Sequence, residues 1–300
     1  MLKERPTILA ISNGGAGSSD DAVIAETIEY LHGVAQVTHA VTSGVDELDA
    51  VLDDHPELDG VVVLGGDGSL HAVLQAAMRS DRLADVWFGL IPLGTGNDFA
   101  RTVHVPDDPH EAARLIATGS PRCVDLAVTA DGEVVVNAIH VGVGADAAAS
   151  AAPWKRFFGP VGYAVGAVIA ALTRPGVFLE VTVDDTIVSP RRKVLQVAAG
   201  NGRYVGGGAP LLPKADPSDG LLDIAVVSAV SRPRRLMYAL RLRRGGHSSS
   251  DDVRFWRGRE VTVRGDRVRA TNDGELAPPS DLHAWRVLPG AWRVIVPDRT

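Results

Sequence analysis

A glycine-rich turn between an apolar strand and an apolar helix is the feature that most constrains this chain. The segment LGGDGSLHAVLQAAM, residues 64–78, follows the β-branched run DGVVVL and leads into a helical pattern. Glycine lets ligand oxygens approach the backbone, and the N–H groups at a helix N-terminus favour an anion. The turn therefore indicates a phosphate-binding loop, although a tight strand-to-helix turn with an acidic cap explains it equally well.

Strand and helix patterns alternate on both sides of this turn. The strand-like runs TILAIS, AQVTHAVT, DGVVVLGG and VWFGLIPLG alternate with helix-like runs as far as residue 118. Such alternation is typical of a parallel sheet covered by helices on both faces. The sequence thus predicts a doubly wound α/β domain over residues 1–118, with a ligand beyond the carboxyl ends of its strands.

The pattern changes after residue 118. Short strand-like runs separated by turn residues, such as EVVVNAIHVGVG, VFLEVTVDD and LLDIAVVS, predict an antiparallel β-sandwich over residues 119–300. Two helical stretches interrupt these strands, Trp154–Thr173 and RPRRLMYALRLRR. We therefore expect two domains, α/β followed by β.

Composition excludes several classes of protein. A net charge of -7 argues against a general nucleic-acid binder, and a single cysteine, Cys123, indicates a reducing compartment such as the cytoplasm. The longest nearly apolar run, residues 161–173, is too short for a bilayer, which takes ~20 residues. The nine histidines show no metal-ligand spacing. We expect a soluble or peripherally attached protein.

Two more glycine-rich turns follow predicted strands, in SNGGAGSSD (Ser12–Asp20) and in IPLGTGNDFAR (Ile91–Arg101). Carboxyl ends of parallel strands meet at one edge of a sheet, so the three turns predict a phosphate-binding lip. The chain has no GxxxxGK[ST] motif and is therefore not a P-loop enzyme. Asp67 would repel a phosphate, unless a cation lies between them or the carboxylate accepts a hydrogen bond from a hydroxyl.

LGGDGSLHAVLQA together with IPLGTGNDFAR resembles the diacylglycerol kinase catalytic domain family, which includes bacterial lipid kinases and sphingosine kinases. The resemblance continues through NAIHVGVGADA, PKADPSDGLLDIAVV and TNDGELA. It implies ATP- and Mg²⁺-dependent transfer of the γ-phosphoryl group to a lipid hydroxyl, with a diacylglycerol-like acceptor favoured. It also implies an α/β nucleotide domain, as in NAD kinases and diacylglycerol kinases, paired with a β-sandwich.

The resemblance also implies a nucleotide site in the first domain. Thr42 is the nearest match to a threonine that contacts nucleotide in relatives. The full set of implied nucleotide-binding residues is Asn13, Thr42, Gly65, Gly66, Asp67, Gly68, Ser69, Leu70, His71, Gly94, Thr95, Gly96, Asn97 and Asp98. The first turn departs from the family pattern because no proline follows Asn13.

The implied catalytic carboxylate lies in TNDGELA. Glu275 is favoured as the general base on the lipid hydroxyl, with Asp273 as the alternative or as a metal or network partner. Asp67 is the third acid of the implied catalytic set, explained by the Mg²⁺ that would arrive with ATP. Taken alone, NDG is a sufficient signal for a hairpin turn.

A second, structural Mg²⁺ is implied in KADPSDGLLDI, through the side chain of Asp219 and the carbonyls of Asp216 and Leu221. Without the resemblance, this segment predicts only an acidic turn. Relatives often end in a segment that packs back on the first domain, and here we expect that return to be very short or missing.

The segment Ser231–Ser250 carries six arginines and no acid, with apolar residues between them. It predicts either an amphipathic helix that meets anionic headgroups or a solvated arginine-rich helix. The expected partners are a lipid substrate and a peripheral contact at the inner face of the membrane, with no nucleic acid and with a dimer left open. The alternatives are a kinase of a soluble acceptor such as NAD, or a nucleotide-binding regulatory protein without turnover.

Overall fold

The chain divides into two compact units. The computed structural model describes residues 5–14, 18–142 and 175–298. The first unit is Met1–Val124 with Gly290–Thr300, and the second is Asp125–Pro289. The division therefore differs from the expected one, because residues 290–300 belong to the first unit. The helix expected over Trp154–Thr173 lies outside the described residues.

The first unit contains a parallel sheet with helices between its strands. Its elements are β1 Thr7–Asn13, α1 Ser18–His32, β2 Gln36–Thr42, α2 Asp46–Asp53, β3 Gly60–Gly65, α3 Asp67–Arg79, β4 Trp87–Pro92, α4 Asp98–Thr102 and α5 Pro109–Thr118. The strands pair in the order β2-β1-β3-β4, and every pairing is parallel. β3 and β4 are almost wholly buried, as expected for strands covered on both faces.

Helix α5 was not predicted from the sequence, although its signals are present. Asp108 accepts a hydrogen bond from the Glu111 N–H at 2.9 Å, and Pro109 occupies the first helical position. Its buried residues Ala112, Ala113 and Ile116 follow helical spacing. The helix is therefore an ordinary capped, amphipathic element of the first unit.

The C-terminal strand completes the first unit. Strand β15, Ser280–Val296, ends with Arg293 and Val294 paired in parallel to β4. Trp292 is fully buried, and its ring lies 5.6 Å from Phe88 and 5.4 Å from Phe99, between ring centroids. The short return segment is thus present and supplies a large core residue. The expected assignment of residues 290–300 to the second domain is corrected on this ground.

The second unit is built almost entirely from antiparallel strands. They are β5 Ser120–Thr129, which enters it from the first unit, β6 Val134–Val135, β7 Ala138–Gly142, β8 Val177–Val183, β9 Thr186–Gly200, β10 Leu222–Ser228, β11 Val253–Gly258, β12 Glu260–Val268, β13 Ala270–Asn272, β14 Glu275–Leu276 and the first part of β15. The strand order is β14-β13-β7-β9-β8-β12-β15, with β10 between β9 and β11.

The sheet of the second unit is covered by two hydrophobic clusters. The larger contains Ile139, Leu179, Ile224 and Trp285, and the smaller contains Leu211, Tyr238 and Val253. Tyr238 comes from helix α6, Arg232–Arg243, and a short 3-10 turn, Gly246–Ser249, follows it. The predicted fold class, a parallel α/β domain followed by an antiparallel β domain, is confirmed.

Candidate active site

The strands that lead into the three glycine-rich turns end side by side at one edge of the first unit, and residues 15–17 of the first turn lie outside the described residues. β3 is hydrogen-bonded to β1 on one side and to β4 on the other, with Ser12 opposite Leu64 and Gly65 opposite Pro92. Strand β2 lies on the far side of β1, so the strand order reverses between β1 and β3. Ligands of open α/β sheets bind at this reversal, beyond the strands' carboxyl ends.

The GGDG turn and the turn in IPLGTGNDFAR contact each other through their backbones. A Cβ added to Gly94 would lie 2.5 Å from the Cα of Gly66, and one added to Gly66 would lie 3.0 Å from the Cα of Gly94. A Cβ at Gly65 would meet the Ser69 hydroxyl at 2.4 Å, whereas Gly68 has open space around it. Gly65, Gly66 and Gly94 are therefore required by close packing between the turns and helix α3.

Asp67 joins the same two turns by hydrogen bonds. Its carboxylate accepts the N–H of Asp98 at 3.0 Å on one oxygen and the N–H of Phe99 at 3.0 Å on the other. These are first-turn N–H groups of α4, which have no partner within that helix. Sequence reasoning expected a cation or a hydroxyl here, and the structure gives a backbone partner instead. Asp67 thus acts as a positioning residue that fixes one turn against the other.

Two side chains from the segment Ile91–Arg101 fix the conformation of its own glycine turn. Asn97 has a φ of +50°, a conformation that asparagine tolerates well, and its amide donates to the Gly94 carbonyl at 2.8 Å. Arg101 donates to the Gly96 carbonyl at 3.0 Å and pairs with the buried carboxylate of Asp98 at 3.3 Å. Sequence reasoning missed Arg101, although its position four residues after Asn97 places it within reach.

The other residues of the implied nucleotide set lie at or near the same edge. Asn13 and Thr95 are exposed, whereas Leu70 is buried and serves the core. Thr42 is buried opposite Asn13, and its hydroxyl donates to the Ser12 carbonyl at 3.5 Å. Gly68, Ser69 and His71 lie in the first two turns of α3. A shallow depression lies between the two turns and is lined by Gly66, Asp67, Leu70, Pro92 and Asn97.

The predicted catalytic acids lie on a tight hairpin of the second unit. Asn272 pairs with Glu275 across a two-residue loop formed by Asp273, with a φ of +51°, and Gly274, with a φ of +98°. Positive φ at both loop residues is the type I′ geometry that NG and DG sequences favour. The hairpin expected from NDG alone therefore exists, and it determines where the two acids lie.

The two acids of this hairpin differ in their partners. Asp273 accepts the N–H groups of Val136 at 2.6 Å, Asn137 at 2.8 Å and Ala138 at 3.0 Å. Glu275 is exposed, and its carboxylate has no hydrogen-bond partner in the described part of the chain. Because Asp273 already binds three backbone N–H groups, Glu275 is the better candidate for the general base.

His140, which sequence reasoning did not single out, lies beside the hairpin. It faces Thr271 across the β7–β13 pairing, and its Nδ1 lies 3.1 Å from the Gln196 amide nitrogen. Burial lowers the pKa of His140 to about 4, and the negative charge of Asp273 opposes this shift. A neutral imidazole at neutral pH therefore lies next to the acids.

The loop expected to hold a structural Mg²⁺ is organised around an arginine. Asp219 accepts the Leu221 N–H at 3.1 Å and forms an ion pair with Arg257, while Asp216 accepts the hydroxyl of Ser218 at 2.6 Å. In residues 5–14, 18–142 and 175–298, no group of three His, Cys, Asp or Glu side chains is placed to hold a metal. The guanidinium supplies positive charge to Asp219, and the implied Mg²⁺ site of one carboxylate and two carbonyls stays a prediction.

Arg257 also approaches a buried acid of strand β10. Its Nε lies 3.2 Å from an oxygen of Asp223. Burial, together with the charge of Asp216, raises the pKa of Asp223 to about 6, although Lys214 and Arg203 act in the opposite direction. Three aspartates therefore share the positive charges around this loop.

The chain thus combines a parallel α/β unit, with glycine turns at a strand-order reversal, and a β unit with a DGE hairpin. This is the arrangement that the resemblance to two-domain kinases implies. Family models match both parts, the diacylglycerol kinase catalytic domain over residues 7–129 and a YegS C-terminal NAD kinase beta sandwich-like domain over residues 137–296. The chain belongs to the diacylglycerol kinase family of lipid kinases.

Named relatives agree with this assignment. The "Probable lipid kinase YegS-like" protein of Pectobacterium atrosepticum is 29% identical over 232 residues, 76% of each chain. A diacylglycerol kinase of Mycobacterium tuberculosis is 31% identical over 250 residues, 80% of this chain and 77% of the relative. The resemblance stated from the motifs is therefore confirmed.

Solved structures share the fold. A crystal structure of a diacylglycerol kinase from Bacillus anthracis has a TM-score of 0.79 at 22% identity and covers 99% of both chains. Another structure from the same strain has a TM-score of 0.84 at 21% identity and covers 99% of this chain and 97% of the other. At this identity the likeness establishes the fold alone. In the described part of the chain, no helix is long and apolar enough to cross a membrane.

Proposed function

We propose that this chain transfers the γ-phosphoryl group of ATP to the hydroxyl of a diacylglycerol-like lipid. The observation that carries the proposal is the contrast within the DGE hairpin. Asp273 binds three backbone N–H groups, which leaves Glu275 as the exposed carboxylate without a hydrogen-bond partner in the described residues. An unengaged carboxylate next to a rigid turn suits a general base that takes a proton from an alcohol.

In this proposal the first unit binds the nucleotide. The glycine turns admit phosphate oxygens to the backbone, and the first N–H groups of α3 and its dipole attract their charge. Asp67 keeps the turns in register through the α4 N–H groups rather than by contacting phosphate. When bound with ATP, Mg²⁺ neutralises charge on the phosphate oxygens during transfer.

The second unit supplies the base in this proposal. Phosphoryl transfer needs mainly positioning and charge stabilisation, so a single well-placed carboxylate is sufficient on the acceptor side. Asp273 and the type I′ turn fix the backbone that carries Glu275. We propose a cytoplasmic site of action at the inner face of a membrane, where the acceptor resides.

The test is phosphoryl transfer from radiolabelled ATP to a panel of acceptors: diacylglycerol, a sphingoid base, other lipid alcohols and NAD. We expect a labelled lipid product, with diacylglycerol the best acceptor. A labelled soluble product would favour the soluble-acceptor alternative, and nucleotide binding without any product would favour a regulatory protein.

The residue-level test is Glu275→Gln. We expect it to lower kcat by about 10²- to 10⁴-fold, the usual contribution of a general base, with nucleotide affinity within a few-fold of wild type. The matched control is Glu260→Gln, an exposed glutamate on β12. Unchanged turnover in Glu275→Gln would remove this residue from the mechanism.

A further inference from the structure

Helix α6 packs on the second unit with only one of its faces. Tyr238 is buried, and Leu242 packs beside it against a cluster that includes Leu211 and Val227. The four-residue spacing from Tyr238 to Leu242 marks a narrow inward stripe. Of the other residues of 232–244, Arg235 and Ala239 are half-buried and the rest are exposed.

That outer face carries large apolar side chains. Leu236 is 40% exposed, Met237 49% and Leu240 49%. Residues three and four positions apart in a helix are surface neighbours, so Leu240 adjoins both Leu236 and Met237 and joins them into one apolar patch. We call the solvent-facing surface of residues 232–244 the outer face of α6.

Arginines border this patch. Four of them, Arg232, Arg241, Arg243 and Arg244, are exposed and have no acidic partner in the described part of the chain. Arg234 pairs with Asp252 at 2.7 Å, and Arg235 donates to the Val230 carbonyl. Arg232, Leu236, Leu240 and Arg243 follow one another at spacings of three and four along one side of the helix. The two leucines therefore lie between two arginines that have no acidic partner in the described residues.

The charge of this face is opposite to that of the whole chain. Residues 231–250 contain six arginines and no acid, whereas the chain has a net charge of -7. A second copy of this chain would bring like charges together if the same faces met, which disfavours a dimer through this face. A nucleic acid would pair with the arginines but would leave the three apolar side chains without a partner.

We propose that the outer face of α6 docks on an anionic lipid surface. Leu236, Met237 and Leu240 enter the boundary between headgroups and acyl chains, and the bordering arginines pair with lipid phosphates. Docking of this kind requires neither nucleotide nor Glu275. The docking proposal can therefore be tested independently of the proposed kinase activity.

The test is co-sedimentation of the full chain, without ATP, with phosphatidylcholine vesicles that contain or lack phosphatidylglycerol. We expect binding to the anionic vesicles only, weakened by salt. The double variant Arg241→Gln/Arg244→Gln should bind about 25-fold more weakly, at about fivefold for each arginine. The triple variant Leu236→Ser/Met237→Ser/Leu240→Ser should bind at least about tenfold more weakly.

Matched controls remove the same groups elsewhere on the second unit. Arg267→Gln/Arg286→Gln removes two exposed arginines, and Phe178→Ser/Ile187→Ser/Leu282→Ser removes three exposed apolar side chains. Both controls should bind like wild type, and unchanged thermal melting would show that the α6 variants remain folded.

Three results would overturn the proposal. These are equal binding to neutral and anionic vesicles, absence of binding to either, and full binding by both α6 variants. A concentration-dependent dimer that the triple variant abolishes, without vesicle binding, would assign the face to a second copy. RNA binding that the double variant loses and the triple variant keeps, again without vesicle binding, would assign it to nucleic acid.

Discussion

The GGDG turn of the first unit and the NDGE hairpin of the second both place an aspartate beside a glycine, and both aspartates bind backbone. Asp67 accepts two N–H groups and Asp273 accepts three. The regions differ in that the hairpin has a second acid, Glu275, which faces solvent. The comparison teaches that an aspartate beside a glycine can serve to hold the loop, which leaves the neighbouring acid as the one proposed to act on the substrate.

The largest effect on stability is expected at Asp273. Asn tolerates the same positive φ, so Asp273→Asn keeps the backbone while removing the charge and placing an amide against N–H donors. We expect the free energy of unfolding to fall by about 2–4 kcal/mol, because hydrogen bonds to charged groups are worth about 1.5–3 kcal/mol each and part of the set survives. Chemical denaturation measures this value.

Turnover measurements distinguish the roles of Asp273 and Glu275 further. Under conditions where Asp273→Asn is fully folded, we expect it to retain more turnover than Glu275→Gln, which should melt like wild type. If Asp273→Asn instead leaves stability unchanged and abolishes turnover, Asp273 is the base and the comparison between the two regions fails.

A smaller effect is expected at Asp67. Asp67→Asn keeps one acceptor for the two α4 N–H groups and loses the charge, at a cost of about 1–3 kcal/mol. Because the carboxylate positions the two glycine turns, nucleotide affinity should fall together with stability. Calorimetric titration with nucleotide and thermal melting test both effects. A normal melting curve with lost turnover would instead make Asp67 a direct participant in the reaction.

Local pattern predicted much of this molecule. Alternating apolar runs indicated β1 to β4 and the antiparallel second unit, and NDG indicated the hairpin turn. The role of Asp67 depends on N–H groups 31 and 32 residues away, and that of Asp273 on groups 135 to 137 residues away. No local pattern records such partners, because only the paired strands bring them together.

The return of the C-terminal strand to the first unit is a second case in which local sequence pattern does not predict the partner. The end of β15 is a strand-like apolar run, WRVIVP, but its pairing with β4 and the burial of Trp292 against Phe88 and Phe99 depend on residues about 200 positions earlier. Spacing along the chain predicts the element, whereas its partner is set by how the whole unit packs.

The smallest effect on stability is expected for the ion pair between Asp219 and Arg257. Here the partner of the acid is a cation rather than an N–H group alone. Arg257 contacts both Asp219 and Asp223, and it is about half exposed. Arg257→Gln removes the partly exposed pair with Asp219, and this loss should cost about 1 kcal/mol or less. The carboxylates left without the guanidinium would then attract a hard cation, since oxygen ligands suit Mg²⁺.

Mg²⁺ should therefore raise the melting temperature of Arg257→Gln more than that of wild type, and EDTA should reverse the difference. Arg254→Gln, an exposed arginine on the same strand, is the matched control and should respond like wild type. Adding Asp219→Asn to Arg257→Gln should remove the extra response. Equal Mg²⁺ responses in wild type and Arg257→Gln, both lost on Asp219→Asn, would show that metal and guanidinium do not compete and that Asp219 holds Mg²⁺ as the resemblance implies.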